Sequence, residues 1–382
     1  MNSTNTRDAQ WRQQLRDSMS AKERTAIPRA KMPELDPAYR ITCNEEVNQG
    51  LNEEQAVTEA TRCLDCPDPQ CMTGCPVGIN IPGFIKNIQR RNFREAAMVL
   101  KETSALPAVC GRVCPQERQC ESRCIYLKMK KPAVAIGYLE RFAADTQRLS
   151  ASGDLPACQP SNGMRIAVVG SGPAGLSFAG DMIKLGYDVT VYEALHQIGG
   201  VLKYGIPEFR LPNAVVDVEI DTLARMGVTF VKDCIIGKTL SYEALRDLGY
   251  DGIFIASGAG LPRFMGIPGE NLINILSSNE YLTRINLMGA GRGDWATPVP
   301  KGDTVAIIGG GNTAMDSVRT ARRMGAKRAI IVYRRSEEEM PARLEEIKHA
   351  KEEGIEFLTL HNPIEYIGDD KGHVRRMRLQ RM

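Results

Sequence analysis

The sequence has little of what marks secreted, membrane and nucleic-acid-binding proteins. Lysine plus arginine exceed aspartate plus glutamate by only 49 to 46, so no bulk charge attracts the chain to nucleic acid or lipid. No apolar run approaches the about eighteen residues that a membrane-spanning helix needs. The N-terminal stretch MNSTNTRDAQWRQQLRDSMSAKERTAIPRA lacks the apolar core of a signal peptide. We therefore expect a cytoplasmic protein that binds neither nucleic acid nor membrane.

Histidine is also scarce, whereas cysteine is concentrated in one region. The chain has 4 histidines and 11 cysteines, and eight of the cysteines lie between Cys63 and Cys124. Cytosolic thiols stay reduced, so cysteines at this density indicate metal binding or catalysis rather than disulfides. We interpret the three scattered cysteines, Cys43, Cys158 and Cys234, as ordinary buried or incidental thiols.

The cysteine spacing predicts iron–sulfur clusters. The first group is C-x2-C-x4-C-x3-C-P and the second is C-x3-C-x5-C-x3-C, with no histidine near either. Zinc sites usually pair two separated C-x2-C knuckles, often with histidine. A compact run that ends in Cys-Pro instead parallels the bacterial ferredoxin run, whose fourth cysteine binds the other cluster. We predict two [4Fe–4S] clusters, with structural zinc or redox-active dithiols as alternatives, on Cys63, Cys66, Cys71 and Cys75 and on Cys110, Cys114, Cys120 and Cys124.

Beyond residue 163 the pattern changes to strand, glycine turn, helix and strand. The apolar run 164–170 is typical of a buried parallel strand, and a helix (174–185) and a second strand (188–193) follow. The turn between them is G-x-G-x-x-G, which lets a pyrophosphate approach the helix N-terminus. A carboxylate at the end of the second strand accepts hydrogen bonds from a ribose 2′-hydroxyl. We predict an FAD site, the alternative being a purely structural turn, on Gly170, Gly172, Pro173, Ala174, Gly175 and Glu193.

The same pattern recurs over residues 303–335, but its second strand ends differently. Tyr333 is followed by Arg334 and Arg335. Guanidinium groups bind the 2′-phosphate that a carboxylate would repel. We predict an NADP(H) site, the alternative being a solvated basic turn, on Gly309, Gly311, Asn312, Thr313, Ala314, Arg334 and Arg335.

Taken together, the motifs resemble the small (β) subunit of NADPH-dependent glutamate synthase and its flavin/iron–sulfur oxidoreductase relatives. The resemblance rests on the order of the two cysteine groups, GSGPAGL…E, GGVLKYGIPEFRLP, IASGAG and GGGNTAMD…VYRRSEEEMPA, and covers nearly the whole chain from about residue 30. Relatives continue past the point where this sequence stops, so the resemblance implies an NADP domain that is incomplete at its C-terminal end.

The resemblance also implies two interleaved sets of cluster ligands. The last ligand comes from a later helix in relatives, which points to Glu140, whereas spacing alone favours Cys110, and both stay open. The sets are Cys63, Cys66, Cys71 and Cys124 for one cluster, and Cys75, Cys114 and Cys120 with Glu140 or Cys110 for the other. Around the flavin the resemblance places Gly200, Leu202, Tyr204 and Arg210, and at the meeting of the FAD and NADP domains Ala256 and Gly258.

We thus expect an α+β multidomain protein, with an all-α iron–sulfur domain followed by doubly wound α/β nucleotide-binding domains. The predicted domains are a helical domain with two clusters (1–150), a linker (151–163), the first segment of an FAD domain (164–295) and an incomplete NADP domain (296–382).

The resemblance implies an enzyme that is part of a hetero-oligomer. NADPH would reduce FAD, and the clusters would pass electrons to a large subunit that makes glutamate from glutamine and 2-oxoglutarate. One alternative is a subunit of an NADH-dependent ferredoxin:NADP oxidoreductase, with a ferredoxin-reductase-like partner. An alternative of another class is a truncated, non-catalytic fragment that only binds clusters.

Overall fold

The computed structural model describes residues 5–150, 154–291, 295–299 and 301–382. Residues 151–153 of the predicted linker, and residues 292–294 and 300 near the predicted boundary of the FAD and NADP domains, lie outside the described residues. The helices are α1 (Gln10–Asp17), α2 (Ala21–Ala26), α3 (Pro37–Arg40), α4 (Glu53–Thr61), α5 (Gln70–Thr73), α6 (Ile81–Gln89), α7 (Phe93–Lys101), α8 (Pro107–Val113), α9 (Ile125–Lys128), α10 (Ile136–Leu149), α11 (Pro173–Lys184), α12 (Val201–Tyr204), α13 (Asn213–Arg225), α14 (Tyr242–Asp247), α15 (Ser278–Asn286), α16 (Asn312–Arg323) and α17 (Leu344–Glu352). The strands are β1 (Arg165–Val169), β2 (Asp188–Tyr192), β3 (Thr229–Val231), β4 (Gly252–Ile255), β5 (Thr304–Ile308), β6 (Arg328–Tyr333), β7 (Glu356–Thr359), β8 (His361–Gly368) and β9 (Val374–Arg381).

The chain divides into two compact units, which are described separately. The first unit contains residues 1–34, 48–200 and 213–257, and the second contains residues 35–47, 201–212 and 258–382. The assignment of domains to cofactors remains a prediction. Among the described residues, no helix is long and apolar enough to cross a membrane.

The helical part of the first unit begins its helices with local capping signals. Capping boxes open α2 (Ser20 with Glu23) and α4 (Asn52 with Gln55), because each pair satisfies backbone N–H groups that the first turn leaves open. The apolar faces of α6, α7 and α10 meet in one core, which includes the fully buried side chains of Phe84, Ile88, Leu100 and Leu139. Cys120 and Cys124 lie in the same core. The thiols are therefore held by the packing of the helices.

The rest of the first unit is a parallel sheet in the strand order β3-β2-β1-β4. Its central strand β1 is apolar and buried over Ile166–Val168, as a strand covered on both faces should be. Helix α11 connects β1 to β2, and Phe178 of α11 stacks on Phe254 of β4 with ring centroids 4.0 Å apart. The predicted strand–turn–helix–strand order is thus confirmed here.

The second unit repeats this arrangement and extends it. Strands β5, β6 and β7 form a parallel sheet in sequence order, and β8 and β9 form an antiparallel hairpin. The sequence predicts β5, α16 and β6, whereas β7 and β8 are additions that it does not predict. With the helical region and the two parallel sheets, the predicted α+β fold class is confirmed.

Candidate cofactor-binding sites

The first glycine turn is shaped as an open cradle at the start of α11. Gly170 has φ 101°, and a Cβ there would lie 2.4 Å from the carbonyl oxygen of Ala256. A Cβ on Gly175 would lie 2.0 Å from the carbonyl oxygen of Gly170, so helix and turn can approach this closely only at glycine. A Cβ on Gly172 would meet nothing within 4 Å, and α11 begins at Pro173 without a side-chain cap. The helix N-terminus therefore faces open space that fits a pyrophosphate.

Glu193 lies next to this cradle and is already held by the protein. Its Oε2 accepts hydrogen bonds from the backbone N–H (2.9 Å) and the hydroxyl (2.5 Å) of Ser171, and its Oε1 accepts one from the N–H of Leu195 (2.8 Å). Ser171 also accepts a hydrogen bond from the N–H of Gly199 (2.9 Å), and Gly200 packs on Gly172. Sequence reasoning missed Ser171, because the fingerprint motif leaves its position unspecified. The carboxylate can still accept from a ribose, since two carboxylate oxygens offer about four acceptor positions.

Replacing Gly172 with alanine should weaken FAD binding by at least tenfold without unfolding the chain. The new methyl group contacts no protein atom within 4 Å and the backbone there (φ −65°) suits alanine, but the methyl would occupy the space that fits the pyrophosphate. Flavin titration of the flavin-depleted protein measures the affinity. Gly252→Ala in β4 is the matched control, because its Cβ would make only an ordinary contact with Ile166 (3.8 Å). Equal affinity of both variants and the parent would contradict the predicted cradle.

The other residues that the resemblance places near the flavin are divided between the units. Ala256 belongs to the first unit, where its N–H donates to Val169. Leu202, Tyr204, Arg210 and Gly258 belong to the second unit. Among these, Arg210 is buried and its guanidinium forms an ion pair with Asp316 of α16 (2.8 Å). A buried charge needs such a partner, and the predicted flavin contact of Arg210 remains a prediction.

The second glycine turn has the same construction. Gly309 has φ 134° and its N–H donates to Val332 of β6 (2.9 Å). Helix α16 begins after Gly311 without a side-chain cap, and its first residue Asn312 accepts a hydrogen bond from the N–H of Arg343 (2.9 Å). Thr313 is exposed and Ala314 is buried against the sheet. This turn therefore also presents a helix N-terminus that fits a phosphate group.

Arg334 and Arg335 lie where β6 ends, as the sequence predicts. Both side chains are exposed, and neither guanidinium forms an ion pair within the part of the chain that the structure describes. The acidic residues that follow are engaged elsewhere: Glu339 caps its own turn and Glu337 pairs with Lys351. Two unpaired cations at the carboxyl edge of a parallel sheet fit an anionic group on a nucleotide bound there.

Four thiols from both cysteine groups lie together in the helical region, and we call them the Cys63 set (Cys63, Cys66, Cys71 and Cys124). Burial, followed by the neighbouring thiols of Cys63 and Cys124, raises the pKa of Cys66 to about 11. Burial, followed by Cys63, Cys124 and Cys66, also raises the pKa of Cys71. Coordination to a soft metal centre is what favours the deprotonated form of such thiols.

The remaining thiols gather around Glu140, and we call them the Cys114 set (Cys75, Cys110, Cys114 and Cys120, with Glu140). Glu140 is buried on α10, and its Oε1 has no hydrogen-bond partner among the described residues. Burial, then the Cys114 thiol, raises the pKa of Glu140, and the thiols of Cys110 and Cys114 share a hydrogen bond. Burial, followed by Glu121, Glu140 and Cys75, raises the pKa of Cys120. An orphaned buried carboxylate among thiols fits a metal ligand.

The last ligand of the Cys114 set can be identified by two single substitutions. If Glu140 is the ligand, Glu140→Ala should lose about half of the bound iron, whereas Cys110→Ser should keep nearly all of it. If Cys110 is the ligand, Cys110→Ser should lose about half of the bound iron and Glu140→Ala should keep nearly all of it. The measurement is iron content per chain after anaerobic purification, checked by the spin-resonance signals of the reduced clusters. Full iron content in both variants would contradict the composition of this set.

Comparisons with known proteins agree with these sites. Residues 40–151 match the family described as dihydropyrimidine dehydrogenase domain II, 4Fe-4S cluster, and residues 164–381 match the pyridine nucleotide-disulphide oxidoreductase family. The glutamate synthase [NADPH] small chain of Azospirillum brasilense is 36% identical over 89% of this chain and 71% of its own length. The chain belongs to the glutamate synthase small-chain family. The Escherichia coli member of this family is 34% identical over 88% of this chain and 71% of its own length.

Relatives with other names have a similar sequence identity to this chain. The β subunit of NADPH-Fe(3+) oxidoreductase from Geobacter sulfurreducens is 36% identical over 84% of this chain and 47% of its own length. Membership confirms the predicted oxidoreductase class and the presence of an iron–sulfur part and a pyridine-nucleotide part in one chain. The individual site residues remain predictions.

Proposed function

We propose that this chain is the NADPH-oxidising electron-input subunit of a glutamate synthase and carries FAD and two [4Fe–4S] clusters. The observation that carries the proposal is the opposite charge beside the two glycine cradles. Glu193 adjoins the first cradle, and Arg334 and Arg335 follow the strand beside the second. A carboxylate suits a free ribose hydroxyl and guanidinium groups suit a 2′-phosphate, so the cradles suit FAD and NADPH respectively.

The chain's own residues would bind and orient these groups. The N-terminus of α11 would hold the FAD pyrophosphate, and the N-terminus of α16 that of NADPH. The Cys63 and Cys114 sets would supply soft ligands at the helical core, in which Cys120 and Cys124 are buried. When bound, the flavin supplies the conversion of a two-electron donor into single electrons, which iron–sulfur clusters carry onward.

The electron acceptor is the finer part of the proposal. In a glutamate synthase it would be a separate large subunit that forms glutamate from glutamine and 2-oxoglutarate. A second candidate keeps the cofactors and changes the acceptor, as in an NADH-dependent ferredoxin:NADP oxidoreductase. The chain is 36% identical both to a glutamate synthase small chain and to an NADPH-Fe(3+) oxidoreductase subunit. Because these relatives are named for different reactions, the equal identity supports the second candidate as well as the first.

An anaerobic titration with NADPH tests the proposal. The purified chain should show flavin and cluster absorption, and NADPH should bleach both, with NADH much less effective. Addition of the large glutamate synthase subunit should then yield glutamate from glutamine and 2-oxoglutarate. If the chain shows cluster absorption but NADPH does not bleach a flavin, the electron-input function is wrong. If NADPH bleaches the flavin and the clusters but no glutamate forms with the large subunit, the second candidate is favoured.

A further inference from the structure

Two buried cations lie beside the Cys63 set without an ion-pair partner. Lys86 of α6 is fully buried, and its Nζ donates to the carbonyl oxygen of Cys63 (2.5 Å) and to Gln89 (2.8 Å). Arg24 of α2 is 3% exposed and donates only to carbonyl oxygens, among them that of Thr61 (2.7 Å). Neither side chain forms an ion pair with a carboxylate among the described residues.

An unpaired buried cation is costly, so these two residues require a nearby negative charge. The Asp65 carboxylate acts on both cations but is already shared, because it pairs with both Arg12 and Arg16. Burial lowers the pKa of Lys86 to about 8 and also lowers the pKa of Arg24, and in both cases the Cys63 thiol is the group that most opposes this decrease. Thiolates that hold an iron–sulfur cluster would supply the missing negative charge.

The charged groups near the Cys114 set differ from those near the Cys63 set. The Glu140 carboxylate lies beside the Cys114 thiol, and the buried Glu219 lies close enough to act on Glu140. Two arginines near this set, Arg112 and Arg141, form ion pairs with Asp145 (2.7 Å and 3.4 Å). Glu121, which acts on Cys120, is balanced by Arg29 (2.8 Å). Burial raises the pKa of Glu140 and raises that of Glu219 to about 7, so the two sets are distinguished by the unpaired positive charge at the Cys63 set.

The two sets also differ in their position within the first unit. Cys110 lies on α8, which packs on α13 of the nucleotide-binding half, and the N–H of Ala108 donates to Glu219 on α13 (2.8 Å). The Cys63 set lies instead beside the N-terminal helices that carry Arg12 and Arg24. An electron that comes from a flavin on the first cradle would meet the Cys114 set first.

We propose that Lys86 and Arg24 make the Cys63 set the site of higher reduction potential, so that electrons entering at the Cys114 set come to rest at the Cys63 set. Buried positive charge stabilises an added electron and buried negative charge opposes it. Each transfer oxidises the Cys114 site by one electron and reduces the Cys63 site by one, with no bond made or broken. The inference rests on the proposed function, in which NADPH supplies the electrons through FAD.

Redox titration of the full chain, followed by electron spin resonance at constant pH, tests this assignment. Lys86→Met should lower the reduced-to-oxidised ratio of the higher-potential cluster about tenfold at a fixed potential, which is about 59 mV for one electron. Lys86→Arg keeps the charge and should stay near the parent. Lys327→Met is the control, since this exposed lysine of the second unit pairs with Asp303 (2.8 Å).

Unchanged potentials in Lys86→Met, or equal shifts of both clusters, would overturn the inference. If Lys86→Met lost its iron, Arg24→Gln would be measured in its place. The same decrease in the potential of the higher-potential cluster is expected for Arg24→Gln, and an unchanged potential in this variant would overturn the inference equally. Failure of the proposed function looks different, because the parent itself would then show no cluster signals or no reduction by NADPH. That result would overturn both proposals.

Discussion

Replacing Cys71 with serine should remove about half of the iron that the chain binds. Cys71 belongs to the Cys63 set, and a serine hydroxyl is a poor substitute for a soft thiolate ligand. The other three thiols of the set would remain in place, but three ligands hold a four-iron cluster weakly. Iron content per chain and the loss of one of two cluster signals measure the effect.

The matched control for Cys71→Ser is the same substitution at an isolated cysteine. Cys158 is exposed and its thiol donates to the carbonyl oxygen of Pro156 (3.8 Å), away from both cysteine groups in the sequence, so Cys158→Ser should keep all the iron. Loss of the cluster should also lower the thermal stability of the helical region, because Lys86 and Arg24 would stay buried without a counter-charge. Full iron content in Cys71→Ser would remove Cys71 from the ligands.

Replacing both Arg334 and Arg335 with alanine should lower kcat/KM for NADPH at least tenfold and leave that for NADH nearly unchanged. A hydrogen bond to a charged group contributes roughly 1.5–3 kcal/mol, which corresponds to about ten- to a hundredfold in affinity. NADH has no 2′-phosphate for the guanidinium groups to bind. The ratio of the two kcat/KM values, measured with an artificial acceptor, reports this specificity.

Arg328 provides the control for this pair. It is an exposed arginine on the same strand β6 but at its other end, where it pairs with Glu356 (2.7 Å). Arg328→Ala should change neither coenzyme's kcat/KM, because coenzymes bind at the carboxyl edge of a parallel sheet. Equal losses for NADPH and NADH in the Arg334/Arg335 variant would refute the 2′-phosphate role.

Sequence patterns predicted the elements whose structure depends on near neighbours. The glycine turns at Gly170–Gly175 and Gly309–Ala314 lie between a strand and a helix, as predicted, because a buried strand, a tight turn and a helix start all depend on residues close in sequence. Cysteine density likewise indicated a metal-binding region, since thiols must be concentrated to surround one cluster.

Other features had no local signal. The motif says nothing of Ser171, yet the folded turn brings it to Glu193 and Gly199. Arg210 stands in a motif that the resemblance places near the flavin, but its side chain is buried against Asp316. A residue's charged partners come from distant parts of the chain, so spacing along the sequence cannot identify them.

The sequence by itself determined the two strand–turn–helix–strand units, the two cysteine groups and the arginine pair after β6, because periodicity, turn chemistry and short motifs act locally. Only the tertiary structure decided which buried charges surround each thiol set. Lys86 is an ordinary helical residue in the printed sequence, and packing places it beside Cys63. Electrostatic energy depends on distance and burial in the folded chain, and folding alone sets both.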